Sequence, residues 1–329
     1  MSEPHHQSSQ LNRVAIVGGS GFYGHALIRE LRRSHPSATI LSLDVAEPRE
    51  TGAADEFVKL DVRSDELTGI LEKFTPDTII HLAFIVDPIR NDDFMHDVNV
   101  NGTKNVFKAV EKIQPKRFLL SSSATAYGAW PDNPVPLVED SQLRGRKEYR
   151  YSNDKVAIEG MLVDFSKQNP EISVSWTRPA IIYEEGINNY LTEFIAKGPL
   201  IVLPDKNNTE MQFVHADDVA AATRLILEKN ATGPFNVGPN DWISLAEMAK
   251  MSKRPTVTAP LRFCMFLTKC WWGLRLPLFH FPPALWYYIR YPWVVRPQRL
   301  MEELGYEFKY SSRETLQHMF DCLRTSRSK

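Results

Sequence analysis

Short, uninterrupted apolar runs alternate in the first half of the chain with longer stretches in which apolar residues recur every three or four positions. An uninterrupted run marks a parallel strand buried on both faces, and the longer period marks a helix laid on a sheet. The pattern predicts strands over 14–17, 38–44, 56–60, 78–83, 116–120 and 172–177. Helices are expected between them. The first carries Phe22, Ala26, Leu27 and Leu31 on one face, the second spans 64–74 with Ser64 as its cap and Asp65 and Glu66 in its first turn, and two more cover 92–112 and 151–168. Regular alternation of strand and helix predicts an α/β fold, a Rossmann-type doubly wound parallel sheet whose ligands bind at the carboxyl ends of the strands.

Beyond Gly186 the rhythm changes. A short helix over 189–197, a strand over 200–203 and an apolar run at 211–214 lead into a helix over 217–229 and a strand over 234–237. The expected organisation is a disordered tail (1–11), a cofactor domain (12–186 plus 211–240) and a smaller, mostly helical substrate domain (187–210 and 241–329). Residues 261–295 are rich in aromatics, with Trp271, Trp272, Trp286 and Trp293, and are broken by Pro277, Pro282, Pro283 and Pro292. Interior prolines forbid one straight helix there, so short helices wrapped over something apolar are expected. The stretch reads as core, as the wall of an apolar substrate site, or as a peripheral patch resting on a bilayer, where Trp and Tyr sit beside Lys269, Arg275 and Arg290.

Composition narrows the function classes. The 329 residues are 43% apolar, ample for a core, and the formal charge of -1 leaves no electrostatic footprint for nucleic acid. Cys264, Cys270 and Cys322 lack metal-binding spacing and the nine histidines are scattered, so no metal and a reducing, cytoplasmic setting are expected. The first ten residues have no apolar segment of signal-peptide type, and no run is long enough to span a bilayer.

Candidate chemistry begins at the first strand. Val14-Ala-Ile-Val runs into Gly18, Gly21 and Gly24. In a strand, turn and helix of this kind the first glycine permits the tight turn, the second admits a pyrophosphate and the third lets helix and strand approach. The amide groups that open the helix have no internal acceptor and suit a phosphate. Asp44 ends the second strand twenty residues after Gly24. A carboxylate there accepts from ribose hydroxyls and repels a 2′-phosphate, favouring NAD over NADP, with Arg49 nearby as a counterweight.

Tyr151-x-x-x-Lys155 opens the helix that follows the fifth strand, at the edge where the nicotinamide should lie. Spacing of four puts phenol and ammonium on one helix face. A phenol titrating near 10 is a poor base at neutral pH, and a neighbouring cation favours its phenolate. Tyr151 could then exchange a proton with a substrate hydroxyl or carbonyl while hydride moves, and a serine from the fifth-strand loop could hold the same oxygen in line.

From Val14 to Leu304 the chain resembles an extended short-chain dehydrogenase/reductase of the NAD-dependent epimerase/dehydratase family. The motifs Gly18-x-x-Gly21-x-x-Gly24, Asp61-Val62, His81-Leu-Ala83, Asn99-Val-Asn-Gly-Thr103, Ser121-Ser-Ser-Ala-Thr-Ala-Tyr-Gly128, Tyr151-x-x-x-Lys155, Arg178-Pro179 and Val214-His-Ala-Asp217-Asp218-Val219 fall in the family's order. The resemblance implies cofactor contacts from Ser20, Phe22 and Tyr23 of the turn, adenine contacts from Asp61 and Val62, and a cofactor channel lined by Leu82, Ala83 and Phe84. It implies support from Asn99, a nicotinamide contact from the backbone after Pro179, and Ser123 as the catalytic serine, with Ser122 as the alternative register. Asp217 and Asp218 read as a helix cap and first-turn acid.

Departures from the family refine the expectation. Ala124, Thr125 and Ala126 stand where dehydratases carry an acidic pair, so dehydration is not expected. Nucleotide-sugar enzymes hold the diphosphate with an arginine just before the stretch matching 213–215, where Met211-Gln212 stand; Arg262, Arg296 and Arg299 are the candidate substitutes. The run that begins at Arg178-Pro179 also lacks the usual glycine-proline ending. The expected function is an NAD-dependent oxidoreductase acting on a secondary alcohol or ketone of a rather apolar small-molecule substrate, with Tyr151, Lys155 and Ser123 catalytic. The alternatives are a nucleotide-sugar 4-epimerase and, in another class, a non-catalytic NAD(P)-binding regulator. The resemblance also implies a homodimer.

Overall fold

The structure is a computed structural model that describes residues 10–184, 200–274 and 282–327. Most of the expected tail, the expected helix over 189–197 and the proline at 277 lie outside the described residues. Leu11 belongs to the fold and not to a tail, because this apolar residue just ahead of the first strand is fully buried against Val14, Leu27 and Leu31.

The strands, in chain order, are β1 (Arg13–Val17), β2 (Thr39–Asp44), β3 (Glu56–Lys59), β4 (Thr78–His81), β5 (Arg117–Ser121), β6 (Ser173–Pro179), β7 (Ile181–Tyr183), β8 (Ile201–Pro204), β9 (Glu210–Met211), β10 (Phe213–His215), β11 (Gly233–Val237), β12 (Ile243–Ser244) and β13 (Thr256–Ala259). One seven-stranded sheet runs β11-β6-β5-β4-β1-β2-β3, every pair parallel. Its central strands β4 and β5 are buried along their whole length, which is why their sequences do not alternate, whereas edge strand β3 is half exposed. The chain leaves β1 in both directions across the sheet, so a crevice opens at the carboxyl ends of β1 and β4.

The helices are α1 (Phe22–Ser34), α2 (Glu66–Phe74), α3 (Asp92–His96), α4 (Gly102–Ile113), α5 (Arg150–Gln168), α6 (Ala216–Glu228), α7 (Leu245–Ser252), α8 (Leu261–Gly273), α9 (Leu285–Arg290), α10 (Gln298–Glu302) and α11 (Ser312–Arg327). One apolar layer packs α1 and α6 on the sheet through Leu27, Leu31 and Ile226, and the opposite layer packs α2, α4 and α5 through Leu71, Val110 and Leu162. A third cluster gathers Leu261, Trp286, Tyr288, Leu316 and Phe320 around Tyr149 and Tyr151 at the start of α5. Part of the aromatic stretch is therefore core, and α8 runs unbroken for 13 residues because its prolines lie outside it.

Two local readings are revised. The helix expected over 92–112 is interrupted by a π-type turn at Asp97–Asn101. The cap of α6 is His215, whose Nδ1 accepts from the Asp217 amide at 3.2 Å. Asp217 and Asp218 both stand in the first turn of α6, and Asp218 is buried and also accepts from the amides of Lys309 and Tyr310 and from the Tyr306 hydroxyl, so it anchors the chain ahead of α11. The helices α7 and α11 and the strand β13 were not expected from the pattern.

Two buried polar groups give the fold measurable signatures. Glu159 of α5, only 2% exposed, takes donors from Arg178 and Trp176 of β6 and from Ser122 after β5. Burial works against the Arg178 charge, but Glu159 and Tyr127 more than offset it and raise its pKa. His81, at the end of β4, is fully buried. Because Thr103 Oγ1 donates to the Asn99 carbonyl, His81 Nε2 must donate to Thr103, which leaves Nδ1 unprotonated and without a partner. Burial, assisted by the Lys155 charge, pulls the His81 pKa down to about 3.

Glu159→Gln should leave Arg178 buried beside a neutral amide and cost about 3–5 kcal/mol in chemical denaturation. Because the folded His81 pKa lies below the unfolded value of 6.5, the unfolded chain binds an extra proton between the two. The stabilisation is complete above pH 6.5 and is lost as pH falls toward about 3. Urea midpoints between neutral pH and pH near 5 should fall, and His81→Gln should flatten that slope.

Candidate active site

A cavity of about 500 Å³ opens at the carboxyl ends of the strands, and Gly18, Gly21 and Gly24 form one side of it. Gly18 has φ +98°, and a Cβ there would lie 2.4 Å from the Ala83 amide nitrogen. At Gly24 a Cβ would meet the Gly18 carbonyl oxygen at 2.5 Å. These two positions require glycine for the fold itself. Gly21 differs: its φ of -66° suits any residue, and the nearest atom to an added Cβ is 3.6 Å away. The space beside Gly21 lies open over the first turn of α1, where unpaired amides favour an anion.

The turn is locked from behind. Asp44 accepts from the amides of Ser20 and Ala46, each at 3.0 Å, and Ser20 Oγ donates to the Ala46 carbonyl at 2.8 Å. The Arg49 guanidinium lies 3.5 Å from the centre of the Phe22 ring and donates to the Ser20 carbonyl. Phe22, Tyr23 and Gly24 line the cavity, and the Tyr23 hydroxyl points into the protein, bonded to Thr223.

Other predicted residues stand back from the cavity wall, Ser20 and Asp44 among them. Asp61 binds Arg63, which also reaches Asp97 at 2.7 Å, and the Arg63 hydrogen bond holds the Asp61 carboxyl below the usual range. Val62 is buried against Gly102. Ala83 presses its backbone on Gly18, while its neighbours Leu82 and Phe84 line the cavity. Asn99 sits in the π-type turn and makes both of its amide bonds to the Ile85 backbone, at 2.8 and 3.1 Å, so it positions the loop after β4 from outside the wall.

At the centre of the cavity α5 presents Tyr151 and, one turn later, Lys155. Lys155 is 1% exposed; its Nζ donates to the Ser121 carbonyl at 2.7 Å, lies 3.0 Å from the Phe84 ring centre and 5.5 Å from that of Tyr151. Burial pushes its pKa well below that of an ordinary lysine, against the pull of Glu159 and Asp154. The three serines after β5 are told apart by their partners. Ser121 offers its carbonyl to Lys155, Ser122 turns its hydroxyl to Glu159, and Ser123 accepts from the Thr125 amide at 3.2 Å and the Thr125 hydroxyl at 2.9 Å. With both lone pairs of Ser123 engaged, its own proton is left to donate to an oxygen in the cavity.

The remaining wall is apolar: Ile85, Val86, Ile181, Ile182, Tyr149 and Trp293, with Pro179 and Ala180 at the end of β6. Among the described residues of the wall the charged side chains are Lys155 and Asp87, and none is arginine. The candidate diphosphate arginines lie elsewhere. Arg296 pairs with Glu302, Arg299 pairs with Glu303 and stacks on Phe235, and Arg262 is exposed on α8. Gln212 is buried, bonded to the backbone of Pro239 and Val295. The pattern alone did not single out Tyr149, Ile85 or Ile182, whose apolar character is shared by residues throughout such a chain; Trp293, named with the aromatic stretch, lines the cavity.

The family model for the NAD dependent epimerase/dehydratase family matches residues 14–238. A bifunctional UDP-glucose 4-epimerase and UDP-xylose 4-epimerase of Pisum sativum is 26% identical over 297 residues, covering 77% of this chain and 84% of that protein. An uncharacterized protein of Mycobacterium tuberculosis is 25% identical, covering 93% of this chain and 83% of its own length. Among solved structures, the UDP-glucose 4-epimerase of Thermus thermophilus in complex with NAD has the same fold, with a TM-score of 0.73, 20% identity, and coverage of 95% of this chain and 99% of that one.

The glycine geometry separates folding from binding. Gly24→Ala should destabilise the protein, since backbone lies 2.5 Å from the added Cβ. Gly21→Ala should keep the thermal midpoint but weaken NAD binding more than about tenfold by filling the space beside the helix amides, as titration followed by calorimetry would register.

Proposed function

The chain belongs to the NAD-dependent epimerase/dehydratase family, and from that premise we propose that it is an NAD-dependent oxidoreductase acting on a secondary alcohol or ketone of an apolar substrate. The observation that carries this reading is the cavity itself, in which Ser123, Tyr151 and Lys155 meet a wall without arginine among its described residues. NAD fits the site: the open space at Gly21 faces the first amides of α1, and the Asp44 carboxylate behind the turn would disfavour the added charge of a 2′-phosphate. Arg49 is engaged with Phe22 and the Ser20 carbonyl, which leaves the charge of Asp44 to favour NAD over NADP.

Bound NAD supplies the hydride acceptor. Ser123 donates its remaining proton to the substrate oxygen and holds it beside Tyr151. In the oxidative direction Tyr151 takes the hydroxyl proton as the carbonyl forms; in reduction it returns that proton to the carbonyl oxygen. Lys155, held by the Ser121 carbonyl and Phe84, lies 5.5 Å from the centre of the Tyr151 ring, where its cation would favour the phenolate, while burial lowers its pKa. Dehydration has no acid to serve it at Ala124, Thr125 or Ala126.

A nucleotide-sugar 4-epimerase is the second reading, favoured by the plant relative's name. It needs a diphosphate partner that the described wall lacks.

Tyr151→Phe should lower kcat by about 10²–10⁴ while NAD affinity changes little; unchanged turnover would remove the phenol from the mechanism. Thermal-shift screening with NADH should show stabilisation by sterol-like or long-chain ketones and not by UDP-glucose. Stabilisation by UDP-glucose alone would decide for the epimerase.

A further inference from the structure

The buried side of α8 carries Leu261, Cys264 and Thr268. Its outer side is unusual, because it too is apolar: Phe263 is 52% exposed, Phe266 62%, Leu267 36% and Leu274 70%. At helical spacing these four, with the exposed Cys270 between them, fall in one stripe about a hundred degrees wide. A contiguous exposed apolar stripe on a soluble domain marks something that covers it.

The charge around the stripe says what that is. Residues 248–301 contain nine of the chain's 39 lysines and arginines and none of its 40 aspartates and glutamates; of the nine, Arg290, Arg296 and Arg299 pair with Asp205, Glu302 and Glu303. Arg262 and Lys269, seven residues apart on α8, are exposed along one edge of the stripe, and no carboxylate among the described residues pairs with either. The one acidic side chain at the start of the helix, Asp205, is already neutralised: it accepts from the Leu261 amide and pairs with Arg290 at 3.0 Å. A protein surface that buried this stripe would need to bring a compensating acidic rim. A bilayer carrying anionic headgroups supplies both parts, an apolar interior for the phenylalanines and fixed negative charge for the cations.

We propose that α8 is a monotopic docking element that lays its outer face on an anionic lipid surface. No helix among the described residues is long and apolar enough to cross a membrane, so the contact is one of resting and not of spanning. The opposite side of the same helix faces the loop after β4. Arg90 follows the wall residues Ile85, Val86 and Asp87 in the loop after β4, and its guanidinium stacks at 5.1 Å on the ring of Trp272 in the last turn of α8. Docking would place α8 between the lipid surface and that loop.

The test is co-sedimentation of the full chain with phosphatidylcholine vesicles, with and without phosphatidylglycerol. The protein should sediment with the anionic vesicles, less so as salt is raised, and remain in solution with phosphatidylcholine alone. Phe263→Ser combined with Phe266→Ser should reduce partitioning more than about tenfold. Arg262→Glu combined with Lys269→Glu should reduce it on the order of tenfold at low salt. Both pairs lie on the surface and should leave the thermal midpoint in place; if the serine pair unfolds the protein, the charge-reversal pair carries the test. Failure to sediment with anionic vesicles, or equal binding to neutral ones, would overturn the proposal. So would a concentration-dependent dimer that the serine pair dissolves, which would make the stripe an interface between two copies. None of these outcomes depends on the reaction the cavity performs.

Discussion

One buried ion pair sets the geometry of the site. Glu159 lies one turn beyond Lys155 and two turns beyond Tyr151, so the three share a helix face that is turned to the sheet. Its carboxylate gathers Arg178 and Trp176 from β6 and the Ser122 hydroxyl from the loop after β5. Arg178 in turn reaches the Tyr127 hydroxyl and the Glu139 carbonyl. A helix, a strand and two loops are thereby tied at a single point directly beneath the cavity. Desolvating two charges is expensive, and the number of donors on this carboxylate is what offsets the cost. The gain is in register. With the second serine committed to Glu159, the third is left at the cavity, and with Arg178 fixed, Pro179 ends β6 at the wall.

The opposite side of the cavity is made by close backbone approach and not by charge. Gly18 and Gly24 admit Ala83 and the turn itself within distances no side chain allows, and Asp44 pins the turn by two amide hydrogen bonds. Between these two constructions lies a site that is polar at Ser123, Tyr151 and Lys155 and apolar from Ile85 round to Trp293. The aromatic segment contributes to both the wall and the support beneath it. Tyr288 donates to the Thr125 carbonyl, which holds the serine turn, while Trp293 faces the cavity and donates to Tyr288. The same segment shows a different face to solvent on α8. One composition therefore has two roles that its sequence does not separate.

Much of the fold was legible because its signals are local. Strands β1, β2, β4 and β5 are buried on both faces and read as continuous apolar runs; α1 announces itself by period, and α5 by the Tyr-x-x-x-Lys spacing that opens it. Some missed elements carried signals as well. Ser244 and Glu247 form a capping box at the start of α7, and Leu316, Met319 and Phe320 have helical spacing in α11. Others had none. The π-type turn at Asp97–Asn101 follows from Asn99 reaching Ile85 across the fold, a contact that no local spacing encodes.

The sequence by itself determined the strand and helix order, the glycine turn, and the pairing of Tyr151 with Lys155, because each depends on residues within a turn or two of one another. Tertiary structure alone decided how the hydroxyls of three consecutive serines are partnered, that Arg299 reaches the Thr232 and Pro234 carbonyls, and that Arg63 joins Asp61 to Asp97. It also decided which aromatics of 261–295 are buried and which are presented to solvent. The physical reason is common to all of these. A side chain's nature is local, but its partner is chosen by whichever elements the fold brings within a few ångströms, and those lie from a few to more than a hundred residues away.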